Sequence, residues 1–215
     1  METQTEASTI LTIGHSNHSI ESFIGLLEGA GITAIADVRS VPYSRRHPQF
    51  NRPALKASLE AAGIAYVFLG GHLGARPHDP SCYRNGAADY ALIAQSSAFA
   101  DGVRRVEEGA RRYRVALMCA ERDPLNCHRT ILVARHLQER GATITHLLAD
   151  GSLEANEATE RRLLEITNLQ SDDLFDRPDS DKDAIAKAYD RRGRTMAYTG
   201  EQTSGKQHAV AGVQS

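Results

Sequence analysis

The amino-acid sequence predicts an α/β fold, with a single domain, a mainly parallel sheet of about five strands and helices on both faces. Five short apolar runs rich in β-branched residues lie between residues 9 and 149, and such runs are typical of buried parallel strands. Segments with helical periodicity separate these runs. Right-handed crossovers of this kind bring the carboxyl ends of all the strands to one edge of the sheet.

The first two expected strands enclose a capped helix. The first strand is expected at 9–13, and the helix after it begins at Ser19, whose hydroxyl suits the cap position. Gly29 and Gly31 suit the end of this helix, because glycine tolerates the left-handed backbone often found there. The second strand is then expected at 32–38.

The remaining elements repeat the same alternation. A helix is expected at 51–63, because asparagine and proline favour a first turn and glycine favours an end. The third and fourth strands are expected at 64–70 and 113–119. A helix at 130–141 leads to the fifth strand at 142–149.

Two stretches depart from this alternation and suggest how the chain is divided. A long loop, 70–95, separates the third strand from the next helix, and loops of this length are commonly lids or binding loops. After residue 169 the chain becomes polar. We therefore expect an α/β domain at 1–169, a C-terminal extension at 170–200 with a short helix near 183–192, and a disordered tail at 201–215.

Composition sets limits on the function. The chain has 215 residues, enough for one sizeable core, and its 41% hydrophobic and 24% charged residues are ordinary for a soluble globular protein. Its formal net charge is −2, so a polyanion would bind only through a local basic patch.

The termini and cysteines point to the cytoplasm. The amino terminus lacks the basic and apolar segments of a secretory signal peptide, and no apolar run reaches the roughly 18 residues of a membrane span. The three cysteines, Cys82, Cys119 and Cys127, are an odd number, which argues against a disulfide framework. We expect a cytoplasmic protein with reduced thiols and no membrane partner. Its oligomeric state does not follow from the sequence.

Polar residues and glycines stand at or just after the ends of the expected strands. In chain order they are His15, Asp37, Arg39, Gly70, Gly71, Cys119, Glu121, His146 and Asp150. Ligands of open α/β sheets bind outside the carboxyl ends of the strands. The sequence therefore predicts a functional site at this edge, built from residues that are far apart along the chain.

The segment 117–129, LMCAERDPLNCHR, is the densest part of this candidate site. A helix is expected to begin within it, which places Cys127, His128 and Arg129 in or near the first turn. Unpaired N–H groups and the helix dipole favour an anion there, and they also favour a cysteine thiolate. The planar guanidinium of Arg129 suits a phosphate or a carboxylate.

A metal site is an alternative interpretation of the same segment. Thiolate and imidazole ligands suit zinc or iron, and Cys119, Cys127 and His128 are the candidate ligands. Their spacing does not correspond to a recognised zinc finger. Metal binding therefore remains one of the open possibilities.

The loop after the second strand combines cations with aromatic rings. It carries Arg39, Arg45, Arg46, His47 and Arg52, interleaved with Tyr43 and Phe50. This combination suits phosphates with bases stacked beside them. The loop is small compared with surfaces that bind duplexes, which favours a nucleotide or a short single strand.

Four blocks of the sequence together resemble a known family. They are TIGHS at 12–16, DVRSVPYSRRHPQFN at 37–51, LGGHLG at 69–74 and CAERDPLNCHR at 119–129. In this order the blocks resemble the domain of unknown function 488 family, over roughly residues 9–150. The resemblance implies an α/β domain, in agreement with the expected strands. It implies no particular activity, because the family is defined by the absence of an assigned function.

The main functional hypothesis is an enzyme acting on a small anionic substrate, such as a nucleotide or a nucleic-acid base or end. The expected catalytic residues are Cys127, His128, Glu121, His15 and Asp37. The expected substrate-binding residues are Arg129, Arg39, Tyr43, Ser44, Asn51, Gly70 and Gly71. The alternatives are a non-catalytic nucleic-acid accessory module that uses the basic loop, and a metal-binding protein that uses the cysteine and histidine ligands.

Overall fold

The structure, a computed structural model, describes residues 8–169 and 178–199. The strands in these ranges are β1 (Thr9–Gly14), β2 (Ala34–Asp37), β3 (Ala65–Phe68), β4 (Tyr83–Arg84), β5 (Ala87–Ala88), β6 (Val115–Cys119), β7 (Thr143–Leu147) and β8 (Leu153–Ala155). The α-helices are α1 (Ile20–Gly29), α2 (Arg52–Ala61), α3 (Gly70–Leu73), α4 (Tyr90–Ala94), α5 (Ser97–Ala110), α6 (Arg135–Glu139), α7 (Asn156–Thr167) and α8 (Pro178–Met196). Short 3₁₀ turns cover Pro48–Phe50, Pro80–Cys82 and Pro124–Asn126.

The main sheet has six strands in the order β3-β2-β6-β1-β7-β8. The first five of these run parallel, which confirms the predicted α/β class and the mainly parallel sheet. The antiparallel edge strand β8 was not predicted, because three residues are too short to show an alternating pattern. Helices cover both faces of the sheet.

Successive residues of each strand face opposite layers, and this divides the core. Leu11 of β1 packs on one face with Phe23 of α1 and Leu55 of α2. Ile10 packs on the other face with Val103 of α5 and Leu137 of α6. Because both faces are covered, all five residues of β6 are buried, and its sequence is apolar throughout.

The expected caps and helix limits are largely found in the structure. The Ser19 hydroxyl accepts a hydrogen bond from the Ser22 N–H at 3.1 Å and so caps α1. The helix expected at 51–63 is α2, although the Asn51 side chain does not cap it. Instead, the Asn51 amide oxygen accepts from the Ser44 N–H at 2.6 Å and closes the preceding loop.

The helix expected at 130–141 differs in form and begins earlier. Arg129–Ala134 is a π-helical segment, and α6 continues it. The Arg135 N–H bonds to the Thr130 carbonyl five residues back, which is the wider hydrogen-bonding pattern of a π-helix. Cys127 has an extended backbone and precedes this helix. Its carbonyl accepts hydrogen bonds from the N–H groups of Thr130 and Ile131 in the first turn.

The stretch expected as a loop, 70–95, is more ordered than the sequence indicated. It contains α3, the antiparallel pair of β4 and β5, and α4. At its start Gly70 lies close against the backbone, because a methyl group added there would be 2.0 Å from the Arg39 carbonyl oxygen. Gly70 and Gly71 begin the one-turn helix α3.

A buried polar chain links the sheet to the last two helices. The His146 ring lies between the Thr12 hydroxyl and the Asn156 amide oxygen, at 2.8 Å from each. The Asn156 amide nitrogen in turn donates to Glu160 at 3.0 Å. The side chain of His146, near the end of β7 as expected, therefore lies inside the fold.

The helix α8 is longer than the short helix expected in the C-terminal extension. Ala188 and Tyr189 are buried in a small apolar cluster with Leu125, Ile131 and Leu163. The expected disordered tail at 201–215 lies outside the described residues. Among the helices of the described ranges, none combines the length and the apolar content that a bilayer crossing requires.

Gly14 has no room for a side chain. A methyl group added at Gly14 would lie 1.8 Å from the Glu121 carbonyl oxygen, so Gly14→Ala should lower the free energy of unfolding by about 2 kcal/mol or more. The matched control is Gly25→Ala in α1, where nothing lies within 4 Å and stability should stay or rise by up to about 1 kcal/mol. Urea unfolding of both variants tests this, and equal stability of Gly14→Ala and the parent would contradict it.

The buried His146 should make stability fall in acid. Burial lowers the pKa of His146 from 6.5 to about 4, so the unfolded chain gains a proton over this interval while the folded chain does not. The free energy of unfolding should therefore fall by about 3 kcal/mol from this group as the pH drops from about 6.5 to about 4. Urea titrations across this range test the slope, and His146→Gln should make it shallower. An unchanged slope in His146→Gln would refute the assignment.

Candidate functional site

Three strand ends meet at the carboxyl edge of the sheet. Beyond the last paired residues of β1 and β6, the His15 N–H donates to the Cys119 carbonyl at 2.9 Å. The Val38 N–H donates to the Met118 carbonyl at 3.0 Å, which extends the pairing of β2 with β6. Residues from the ends of β1, β2 and β6 are thus held next to one another, as the sequence predicted.

Two thiols and one imidazole converge at this edge. The sulfur atoms of Cys119 and Cys127 lie 3.8 Å and 4.0 Å from Nδ1 of His128. The three donor atoms all lie within 4.8 Å of one another, and all three residues are buried. Cys119 ends β6 and Cys127 follows the 3₁₀ turn at Pro124–Asn126, so this turn folds the second cysteine back over the first.

The orientation of the His128 ring is set by the backbone of β2. Nε2 of His128 lies 2.9 Å from the Val38 carbonyl oxygen. Because a carbonyl only accepts, Nε2 carries the proton, and in the neutral ring the lone pair is on Nδ1. That lone pair faces the two sulfur atoms.

The environment shifts the pKa values of the two thiols in opposite directions. Although burial alone raises the pKa of Cys127, its hydrogen bond with Cys119 and the charges of Arg129 and His128 outweigh burial and hold this pKa well below its usual range. The same sulfur–sulfur interaction, together with burial, raises the pKa of Cys119. Burial lowers the pKa of His128, but the partly anionic Cys127 reverses this and raises it. The pair therefore favours a thiolate on Cys127.

Arg129 occupies the interior beneath this cluster. It is 1% exposed, and its Nη1 donates to the Glu121 carbonyl at 2.6 Å. Nη2 donates to the Arg122 carbonyl at 3.3 Å, and Nε donates to the Thr12 hydroxyl at 3.5 Å. These contacts fix the loop after β6, and they use the guanidinium that was expected to bind an anion.

A second polar cluster lies at the end of β2. The guanidinium of Arg39 forms a two-pronged ion pair with Asp37, with distances of 2.9 Å and 2.7 Å. The Tyr66 hydroxyl from β3 donates to the same carboxylate at 2.8 Å. Asp37 is fully buried and Arg39 nearly so, and this pairing satisfies both charges. Tyr66 was missed by sequence reasoning, because a tyrosine inside an apolar strand resembles a core residue.

His15 joins this second cluster. Its Nδ1 lies 2.9 Å from the Ser16 carbonyl, and its Nε2 lies 3.2 Å from Nη1 of Arg39. The His15 ring stacks on Phe50, with ring centroids 4.2 Å apart. Burial, followed by the charge of Arg39, lowers the pKa of His15 to about 4, so the ring is neutral at neutral pH. Its Nε2 lone pair is already engaged by Arg39.

The predicted site residues thus fall into groups. His15, Asp37 and Arg39 form one cluster, and Cys119, Cys127 and His128 form another that is bonded to Val38 between Asp37 and Arg39. Of the remaining predicted residues, Gly70 packs against the Arg39 backbone and Arg129 is buried below the cluster of thiols and imidazole. The others lie apart from both: the Glu121 side chain is exposed, Ser44 and Asn51 bond to each other, Tyr43 points outward and Gly71 is exposed.

Two clefts lie near the sheet, and neither is lined by the sulfur atoms. One, of about 440 Å³, lies beyond β6 and β7 and is lined by Glu121, Asp123, Asp150 and Arg162 among others. The other, of about 380 Å³, lies between β3 and α5, toward the amino ends of β2, β3 and β6. The cluster of two thiols and one imidazole is enclosed, because its three residues are at most 9% exposed.

No curated protein and no solved structure matches the chain. The model of one protein family, described as a domain of unknown function, DUF488, matches residues 19–136. The matched range includes both the Asp37–Arg39 segment and the Cys119–His128 segment, whereas His15 and Ser16 lie just before it. Because this match covers more than half of the chain and confirms the resemblance of its sequence blocks, the protein belongs to the DUF488 family.

Proposed function

We propose that this chain is a metal-binding protein in which Cys119, Cys127 and His128 hold one ion of the zinc or iron class. The observation that carries the proposal is the approach of the three donor atoms to within 4.8 Å of one another. Thiolate sulfur and imidazole nitrogen are the ligands that zinc and iron prefer.

The distances are close to those of a bound ion. Bond lengths of about 2.3 Å to sulfur and about 2.1 Å to nitrogen, at a tetrahedral angle, place sulfur and nitrogen about 3.6 Å apart. The observed separations from His128 Nδ1 are 3.8 Å and 4.0 Å. Shifts of a few tenths of an ångström would bring both sulfur–nitrogen separations to this value.

The surroundings of the imidazole also support metal binding. A histidine that binds a metal through one nitrogen usually donates the proton of the other to a carbonyl or a carboxylate, which fixes the ring. The Val38 carbonyl has this role for His128. The low pKa of Cys127 favours the deprotonated sulfur that a metal requires.

The three ligands leave one coordination position for a further group. Within the ranges that the structure describes, no fourth histidine, cysteine or carboxylate joins the group. Three protein ligands with a fourth open position are typical of catalytic zinc, whereas the enclosure of the sulfur atoms is typical of a structural site. The bound ion would therefore stabilise the fold at the junction of β2 and β6 and leave a position for a ligand as small as water.

A second candidate function is an enzyme acting on a small anionic substrate, such as a nucleotide. The observation that favours it is the position of Arg39 and His15 next to the cluster of sulfur and imidazole ligands. To bind Arg39, the anion would have to displace the Asp37 carboxylate from its guanidinium. Cys127 with His128 would supply the nucleophile and the proton acceptor, or the ligands of the reactive ion.

Metal analysis of the purified chain tests the first proposal. The parent, loaded with zinc and freed of excess, should contain about one ion per chain by mass spectrometry of the elements, because three preorganised ligands bind zinc tightly. Cys119→Ala, Cys127→Ala and His128→Ala should each lose most of it. The matched control is Cys82→Ala, which removes an equally buried cysteine outside the group and should keep the ion.

The absorption spectrum of bound cobalt(II) gives a second readout, which does not depend on how much of each variant is purified. Cobalt(II) bound to the parent should show the thiolate-to-metal absorption of a sulfur site, and this band should be lost in Cys127→Ala but kept in Cys82→Ala. A parent that binds neither zinc nor cobalt after reduction of its thiols would refute the proposal. Retention of the ion in all three ligand variants would refute it equally.

The enzyme candidate is tested by ligand binding. Calorimetric titration with nucleoside mono- and diphosphates should show binding that the double variant Asp37→Asn/Arg39→Gln weakens at least about tenfold, since the guanidinium that would contact the anion is lost. The double change removes both buried charges together, so neither is left unpaired. Metal content should be unchanged in it, because neither residue is a proposed ligand. The absence of binding to the parent would remove support for this candidate and leave the metal proposal intact.

A further inference from the structure

The loop that follows β2 presents an exposed surface of cations and aromatic rings. We define the basic loop as residues 41–46, VPYSRR. Val41 and Tyr43 are 59% and 64% exposed, although large apolar side chains are otherwise mostly buried in this fold. Arg45 and Arg46 follow directly and are also exposed. Neither the metal site nor the Asp37–Arg39 cluster uses these four side chains.

The arginines of the basic loop are free of acidic partners. Neither Arg45 nor Arg46 has a carboxylate within 4.0 Å in the part of the chain that the structure describes. Other arginines of this protein are paired in this way, such as Arg104 with Asp101 and Arg140 with Glu107. The basic loop therefore carries two uncompensated positive charges, although the chain as a whole is slightly acidic.

The backbone of the basic loop is held by hydrogen bonds to residues 47–52. The Ser44 N–H donates to the Asn51 side chain at 2.6 Å, and the His47 N–H donates to the Ser44 hydroxyl at 3.1 Å. The Arg52 N–H donates to the Pro42 carbonyl at 3.0 Å and closes the loop at its base. Because the loop is already ordered, a partner would bind it with little loss of backbone entropy.

Two arginine–aromatic pairs flank the basic loop. Arg52 lies over the Phe68 ring at 4.5 Å from its centroid, on the side of β3. Arg76 lies over the Tyr198 ring at 4.4 Å, and its N–H bonds to the Ser40 hydroxyl at the start of the loop. Positive charge next to aromatic faces therefore continues on both sides of residues 41–46.

We propose that the basic loop binds single-stranded nucleic acid, with Tyr43 stacking on a base and Arg45 and Arg46 contacting phosphates. An exposed aromatic face beside unpaired cations is the combination that single strands recognise without sequence preference. A surface of six residues is too small for a typical duplex interface, and the ends of a single strand would extend over the flanking arginine–aromatic pairs. This proposal is independent of metal binding.

Fluorescence anisotropy with a labelled mixed-sequence oligonucleotide of about 12 nucleotides, as DNA and as RNA, tests the proposal. The double variant Arg45→Ala/Arg46→Ala should bind more weakly. It should also reduce the slope of log K against log salt by about 1.4, since each lost phosphate contact contributes about 0.7 for a single strand. Tyr43→Ala should weaken binding about tenfold through loss of stacking, and Tyr43→Phe should restore it.

The chain offers a matched control at the opposite edge of the sheet. Arg111, Arg112 and Tyr113 are exposed residues of the same types, and they precede β6 rather than follow a strand. Arg111→Ala/Arg112→Ala and Tyr113→Ala should bind the oligonucleotide as the parent does. Equal weakening by the arginine control would show that only net charge matters, and equal weakening by Tyr113→Ala would show that any exposed tyrosine serves. Either result would overturn the proposal.

Three further results would also overturn it. These are binding that salt does not affect, binding that survives replacement of Arg45, Arg46 and Tyr43, and binding to anionic phospholipid vesicles in place of the oligonucleotide. The metal content of each variant should equal that of the parent, because none of these residues is a proposed ligand. Loss of oligonucleotide binding at unchanged metal content would therefore support this inference whatever the outcome of the metal proposal.

Discussion

The hydrogen bond from His128 to the Val38 carbonyl joins the two parts of this site. It connects the end of β2 to the segment after β6, so that the position of one imidazole depends on the backbone of another strand. The same bond assigns the ring proton to Nε2 and leaves Nδ1 facing both sulfur atoms. Since Val38 stands between Asp37 and Arg39, the ion pair of these two residues and the thiol cluster share one short piece of backbone.

The sheet around this bond shows how the molecule holds charge in its interior. Arg39 is balanced by a carboxylate, whereas Arg129 is held by the backbone carbonyls of Glu121 and Arg122. A buried guanidinium without such partners would be strongly destabilising. The close approach of Gly14 to the Glu121 carbonyl is part of the same arrangement, because that carbonyl also accepts from Arg129.

The parallel strands and the meeting of their carboxyl ends could be predicted from the sequence, because apolar runs and helical periodicity are local signals. It was not sufficient for the partners of Asp37, since Tyr66 pairs with it only after β2 and β3 align. From their spacing, the meeting of Cys119 and Cys127 was only one of several alternatives. It depends on the turn at Pro124–Asn126, which brings the second cysteine back to the first. The interior position of His146 depends on α7, which its own strand does not reveal.

The π-helical segment at Arg129–Ala134 has a consequence for how this family can vary in length. A π-turn accommodates roughly one residue more than an α-turn, so the segment stores an extra residue between His128 and the start of α6. Removing that residue would restore regular α-helical winding and leave His128 in nearly the same orientation relative to the packed face of α6. Removing a residue from a regular α-turn would instead rotate His128 by about 100°. This stretch can therefore lose one residue and still direct the imidazole at the sulfur atoms, a change that a regular helix in the same place would not permit.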